Sequence, residues 1–172
     1  MILSAPFMPQ PQPVIDGFEF ASAGASLTGA LSIHDFPRLR DMLAKHEGDV
    51  AYEVEGMRDE RGRPALRLKV RGRLELRCQR CLEALPFEIE ADEVLVLAGT
   101  QAEIDAEPAD VDAADRVVAA KEMPVRELVE DELILALPYA PRHADCSARA
   151  SADAAEKTLP FASLRGLMRG KH

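Results

Sequence analysis

The sequence predicts an α+β domain: an antiparallel β meander backed by two or three helices, with an acidic flexible loop and mobile termini. Three observations carry that prediction. Residues 49–57, 66–77 and 85–98 alternate apolar and polar side chains, the period of a half-buried strand, and short turn-rich connections join them. Residues 124–137, "PVRELVEDELILAL", repeat apolar residues at three- and four-residue steps, the period of a helix. Residues 99–115 are acidic, rich in Ala and free of aromatic residues, so they read as a flexible loop.

The elements follow in order. The first 13 residues carry no charge, and Pro6, Pro9, Pro11 and Pro13 break up any apolar run, so they read as a mobile arm rather than an export signal. A single domain then spans 14–146. "SLTGALSI" (26–33) reads as a short strand. Asp35 is placed to cap a helix over 36–46, with Phe36, Leu39, Leu43 and His46 on one stripe; His46 there is a packed or edge histidine rather than a ligand. "RDERGRP" (58–64) is a turn between the first two strands of the meander. Pro124 suits the first turn of the last helix, whose apolar face is Val125, Leu128, Val129, Leu133 and Ala136. Glu132 falls on that stripe, and a Glu at the edge of a tilted helix is the expectation over a carboxylate buried against an arginine. Glu130, Asp131 and Glu132 together form a partner-binding or packing motif. Residues 147–172 read as a small-residue linker and a basic tail, and no internal repeat is present.

The charge is unevenly spread. The whole chain of 172 residues carries −9, yet residues 58–80 hold nine Arg or Lys against three acids, and residues 88–132 hold fifteen acids against three cations. A protein that coats nucleic acid over its whole surface lacks such a balance; one basic face on an acidic body remains. The candidate face is Arg58, Arg61, Arg63, Arg67, Lys69, Arg71, Arg73, Arg77 and Arg80. A hairpin between 66–77 and 85–92 offers a plainer reading. One register sets Arg73 opposite Glu88, Arg71 opposite Glu90 and Lys69 opposite Asp92, with Leu74 opposite Phe87 and Val70 opposite Ala91, an ordinary solvated sheet face. The segment also lacks the aromatic residues that stack unpaired bases.

The basic strand ends in Cys78 and Cys81, and the only other cysteine, Cys146, follows His143 by three residues. Cys78, Cys81, His143 and Cys146 form a Cys3His set with the pairwise spacing of structural zinc; a buried pair of reduced thiols is the other reading. Zinc knuckles usually place Gly after the second Cys, and Leu82 stands there. Thiol–disulfide exchange wants the pair at the start of a helix, whereas Pro86 and a strand-like run follow it here. With three cysteines, no export signal and no run of about 20 apolar residues, the cytoplasm is the expected compartment, with no membrane association. No phosphate-binding loop, nucleophile elbow or His–carboxylate metal motif is present, so neither catalysis nor a small-molecule substrate is expected.

"ELRCQRCLEALPF" (75–87), "VRELVEDELILALPYAPRHADC" (125–146) and "PFASL" (160–164) resemble the YceD family of bacterial proteins, named for accumulation of large-subunit ribosomal RNA. The run at 128–138 carries most of that resemblance. It implies a non-catalytic role in the synthesis, processing or stability of 23S ribosomal RNA. The implied partner is ribosomal RNA or a pre-large-subunit particle; on the charge pattern of this chain, the 58–80 basic face is expected to meet pre-ribosomal RNA or an RNA-bound protein, and the acidic segment 99–132 basic ribosomal proteins. A protein-only adaptor or chaperone for a large-subunit ribosomal protein is the competing class. Some relatives carry further cysteines in the C-terminal cluster; this chain has Cys146 alone there, with His143 as the substitute.

Overall fold

The computed structural model describes residues 12–107 and 114–146. The expectations placed on residues 1–11, on the middle of the acidic loop and on the C-terminal tail lie outside the described residues. The fold is α+β, as expected. Its centre is a five-stranded sheet in the order β2 (Ser26–Ser32), β3 (Asp49–Arg58), β4 (Pro64–Arg77), β5 (Ala84–Ala98) and β6 (Arg116–Val118), antiparallel except for the β5–β6 pair. The β4–β5 register is the expected one: Arg73 faces Glu88, Arg71 faces Glu90, Leu74 faces Phe87 and Val70 faces Ala91.

One face of the meander is covered. Val50, Val54, Leu66, Leu68, Val70, Leu74 and Leu76 bury against Val125, Val129 and Leu133 of the last helix, α3 (Val125–Ala136). Each such side chain contributes about 1.5–3 kcal/mol when fully removed from water. Pro124 sits one residue earlier than expected, at the N-cap rather than within the first turn.

Residues 17–23, which carry no strong apolar period, form a helix, α1 (Gly17–Ala23). The Asp16 carboxylate accepts from the Glu19 N–H at 3.0 Å, and Gly24 closes the other end in a left-handed conformation with φ 58°. Gly56 of β3 lets α1 lie close, since a Cβ there would collide with the Phe20 carbonyl. Before α1, β1 (Val14–Ile15) pairs with β7 (Met123–Pro124), the Pro13 carbonyl accepts from the Val125 N–H at 3.0 Å, and Gln12 accepts from Arg126.

Two expectations fail locally. Residues 36–46 do not form an α-helix capped by Asp35. Two 3₁₀ turns, Ile33–Asp35 and Pro37–Met42, take their place, and Leu43 is already extended. The reason is tertiary: Leu43 bridges to Leu76 and the Ala44 N–H donates to the Glu75 carbonyl at 2.7 Å, so the sheet claims the chain after six residues. Phe36, Leu39 and Leu43 are nevertheless fully buried, and His46 is an exposed edge residue with a ring nitrogen 3.1 Å from the Arg40 carbonyl. The acidic loop likewise contains a short helix, α2 (Gln101–Ala106), capped by Thr100.

Candidate metal centre and charged surfaces

The four residues singled out by spacing come together. The ligating atoms of Cys78, Cys81, His143 and Cys146 all lie within 4.8 Å of one another. Cys78 and Cys81 occupy the tight connection between β4 and β5, where the Cys78 N–H donates to the Glu83 carbonyl and the Leu82 N–H to the Cys78 carbonyl. His143 and Cys146 arrive from beyond α3, and the Gln79 N–H holds that segment by donating to the Pro141 carbonyl at 2.8 Å.

The donor set fits a tetrahedral ion. The Cys78 and Cys146 sulfurs are 3.7 Å apart, and the Cys81 sulfur lies 3.5 Å from His143 Nδ1. A Zn–S bond of about 2.3 Å implies a tetrahedral edge of about 3.8 Å. His143 Nε2 sits 3.0 Å from the Ala84 carbonyl, which places the ring proton on Nε2 and leaves Nδ1 as the ligand atom. The Cys81 N–H, and after it the Arg80 N–H, hold the Cys78 thiolate and lower its pKa to about 5. Burial pushes Cys146 up to about 11, and the hydrogen bond with Cys78 raises His143. Cys78 has no exposed surface, so an outside disulfide has no access to its sulfur. Leu82 has φ 64°, the left-handed conformation for which a knuckle glycine is suited, and its side chain is two-thirds exposed. The unexpected residue therefore occupies the expected backbone shape.

The basic segment divides into a neutralised middle and uncompensated ends. Arg67 forms a bidentate pair with Asp92 at 2.7 and 2.8 Å, Arg71 pairs with Glu90 at 3.0 Å, and Arg73 lies 3.7 Å from Glu88. Lys69, opposite Asp92 in register, turns instead to Glu53 of β3 at 3.2 Å. Arg63 pairs with Asp59 at 2.7 Å. Among the described residues Arg58, Arg61, Arg77 and Arg80 have no ion pair; Arg58 bonds the Gly62 carbonyl and Arg77 reaches the Leu43 carbonyl. Arg142, which the sequence reading did not single out, has none either and flanks the Gln79–Pro141 bond together with Arg80. Arg58 and Arg61 lie at the other end of β4, whose 14 residues span about 46 Å.

The acidic motif on α3 also divides. Glu130, 1% exposed, is the carboxylate buried against an arginine: it accepts from the Arg38 backbone N–H at 2.8 Å and from Arg38 Nε at 3.0 Å. Asp131 takes the other side of the same guanidinium. These two pack the 3₁₀ segment against α3. Glu132 is not at the edge of a tilted helix as expected; it is buried where α3 packs on the sheet. Burial and the negative charges of Glu93 and Asp115 raise its pKa.

The architecture thus defines a small α+β scaffold whose meander and last helix are clamped at one end by a Cys3His cluster able to bind a metal. The profile of the family described as large ribosomal RNA subunit accumulation protein YceD matches residues 66–167, more than half of the chain, and the chain belongs to that family. The family's name ties the protein to accumulation of large-subunit ribosomal RNA. No curated protein and no solved structure matches the chain. No helix among the described residues is long and apolar enough to cross a membrane.

Proposed function

We propose that the chain is a non-catalytic ribosome-biogenesis factor, acting in the cytoplasm on the synthesis, processing or stability of 23S ribosomal RNA. Family membership supports the role. The observation that supports direct contact with precursor RNA is the trio Arg77, Arg80 and Arg142, exposed arginines without ion pairs among the described residues, each next in sequence to a member of the Cys/His cluster. A phosphate backbone needs such uncompensated cations, and a fixed turn presents them without further ordering cost. Zinc is the ion that best suits three thiolates and one imidazole at tetrahedral spacing, and bound there it would lock the turn to the segment after α3.

The test is depletion of the protein in its host, followed by the ratio of 23S to 16S ribosomal RNA. A fallen ratio restored by the wild-type chain and not by a folded Arg77→Glu/Arg80→Glu/Arg142→Glu variant supports the reading. An unchanged ratio sinks it. The second reading, a protein-only adaptor, draws on the neutralised middle of the sheet face. It is separated by salt-sensitive binding to an isolated 23S fragment, which an adaptor does not show.

A further inference from the structure

Between α3 and β5 runs a groove that the RNA-side reading leaves unused. One stretch is lined by Ala91, Glu93, Asp115, Glu132, Leu135 and Ala136. The next continues past Leu95, Val117, Leu128 and Ile134, and shares Asp115, Glu132 and Leu135 with the first. The groove is therefore elongated, its first stretch lined mainly by carboxylates and its second mainly by apolar side chains. Leu135 stands on its edge, 71% exposed.

The charges around it are not balanced from within. Of the rim acids, Asp92 and Glu90 are engaged by Arg67 and Arg71. The two cations on the wall, Arg38 and Arg116, are taken by Glu130 with Asp131 and by Glu107. Glu93, Asp115 and Glu132 have no ion-pair partner among the described residues. Glu132 is the telling one. It is 7% exposed, it has no hydrogen-bond donor among the described residues, and the exposure it keeps opens on the groove. Its carboxylate oxygens meet solvent only through the groove, so a cation arriving there replaces water as its partner.

The lining selects the ligand class. A lone divalent cation would leave Leu128, Ile134 and Leu135 uncovered, and a nucleic acid would meet three negative charges. A peptide that mixes cations with apolar side chains satisfies both parts of the surface. We propose that this groove receives an arginine- or lysine-rich segment of a second protein, its apolar side chains covering Leu135 and Ile134 and its cations meeting Glu132, Asp115 and Glu93. The inference goes beyond the RNA-side reading and does not rest on the arginines at the other surface.

The test uses the full chain with Leu135→p-benzoylphenylalanine, irradiated in the host, and the cross-linked peptide sequenced by mass spectrometry. The expected product is a peptide from another protein with several Lys or Arg among apolar residues. That peptide, synthesised with a fluorescein label, should bind the purified full chain. Binding should weaken at least tenfold both for Glu132→Lys and on raising salt from 50 to 300 mM, while Glu132→Gln keeps the melting temperature of the parent. Cross-linking to residues 159–172 of this chain, to a second copy, to nucleic acid or to an acidic peptide overturns the proposal, as does no cross-link from a folded variant. So does captured peptide whose binding ignores Glu132→Lys. The RNA reading fails separately: peptide binding intact with no change in the 23S to 16S ratio on depletion overturns that reading and leaves this one standing.

Discussion

The middle of β4 and its cysteine end carry the same side chain to opposite effect. Lys69 and Arg71 find Glu53 and Glu90 directly across the antiparallel pairs, and Arg67 reaches diagonally to Asp92, two residues along β5 from its own register partner Val94. Arg77 and Arg80 stand where the strand runs out, and Ala84 on β5 offers no acid opposite Arg77. Strand register, not the number of arginines, decides where positive charge is left unpaired. Ion pairs of the first kind contribute about 0.2–1 kcal/mol across strands and cancel the field. Arginines of the second kind keep theirs, and Arg77 and Arg80 adjoin the Cys78 and Cys81 of the Cys/His cluster.

The largest expected effect tests the fixed turn. The purified chain should carry one zinc per molecule by elemental analysis, and Cys78→Ser/Cys81→Ser should lose it. Removing the metal with a chelator should lower the melting temperature by about 10 °C or more, since binding free energy at a structural site is folding free energy. A metal-free chain that melts at the same temperature would reduce the cluster to packed thiols and break the comparison at its rigid end.

Next comes the contrast itself. Arg77→Glu/Arg80→Glu/Arg142→Glu should weaken binding to a 23S fragment at least tenfold at low salt and flatten the salt dependence by about three units of slope. Lys69→Glu/Arg71→Glu/Arg73→Glu should change affinity about threefold or less. Equal losses from the two triple variants would erase the distinction between the two regions.

A smaller effect sharpens the middle region. The Arg67 hydrogen bond holds the Asp92 carboxyl below its ordinary range. A depressed carboxylate pKa contributes stability that is present above the unfolded value, near 3.8, and is lost as pH falls through the folded one. Arg67→Gln should therefore melt slightly below the parent at pH 7, and the two should converge once the pH has fallen through the folded-state pKa of Asp92. A gap that persists at low pH would mean that Arg67 acts through packing of its stem.

The smallest effect concerns Leu82. Left-handed backbone costs a residue with a Cβ about 1–2 kcal/mol, and glycine avoids it while adding unfolded-state freedom worth about 0.5–1 kcal/mol. Leu82→Gly should raise the melting temperature by about 1–3 °C and leave metal content unchanged. A fall would show that the exposed leucine packs on a neighbour.

Much of the site was legible before the fold. Cys78, Cys81, His143 and Cys146 were found by spacing, because a tetrahedral site built from two tight turns needs ligand pairs about three residues apart. The β4–β5 register was legible because apolar and charged residues alternate in phase on both strands. Arg142 was not, since its position matters only through the Gln79–Pro141 bond, 62 residues apart in sequence. The helix expected over 36–46 failed because its apolar stripe also fits two 3₁₀ turns, and only the bridge to Leu76 chooses between them.

By itself, then, the sequence determined the α+β class, the meander with its register, the last helix and the Cys3His set. All are written in local periods and short spacings. Which charges remain unpaired depends on how the elements pack. Packing took Glu130 for Arg38, left Glu132 buried above an open groove, and neutralised the middle of β4 while sparing its end. The physical reason is range. Alternation and helical period are set by neighbours within a turn or a strand, whereas the partner of a charge is whatever folding brings within about 4 Å of it.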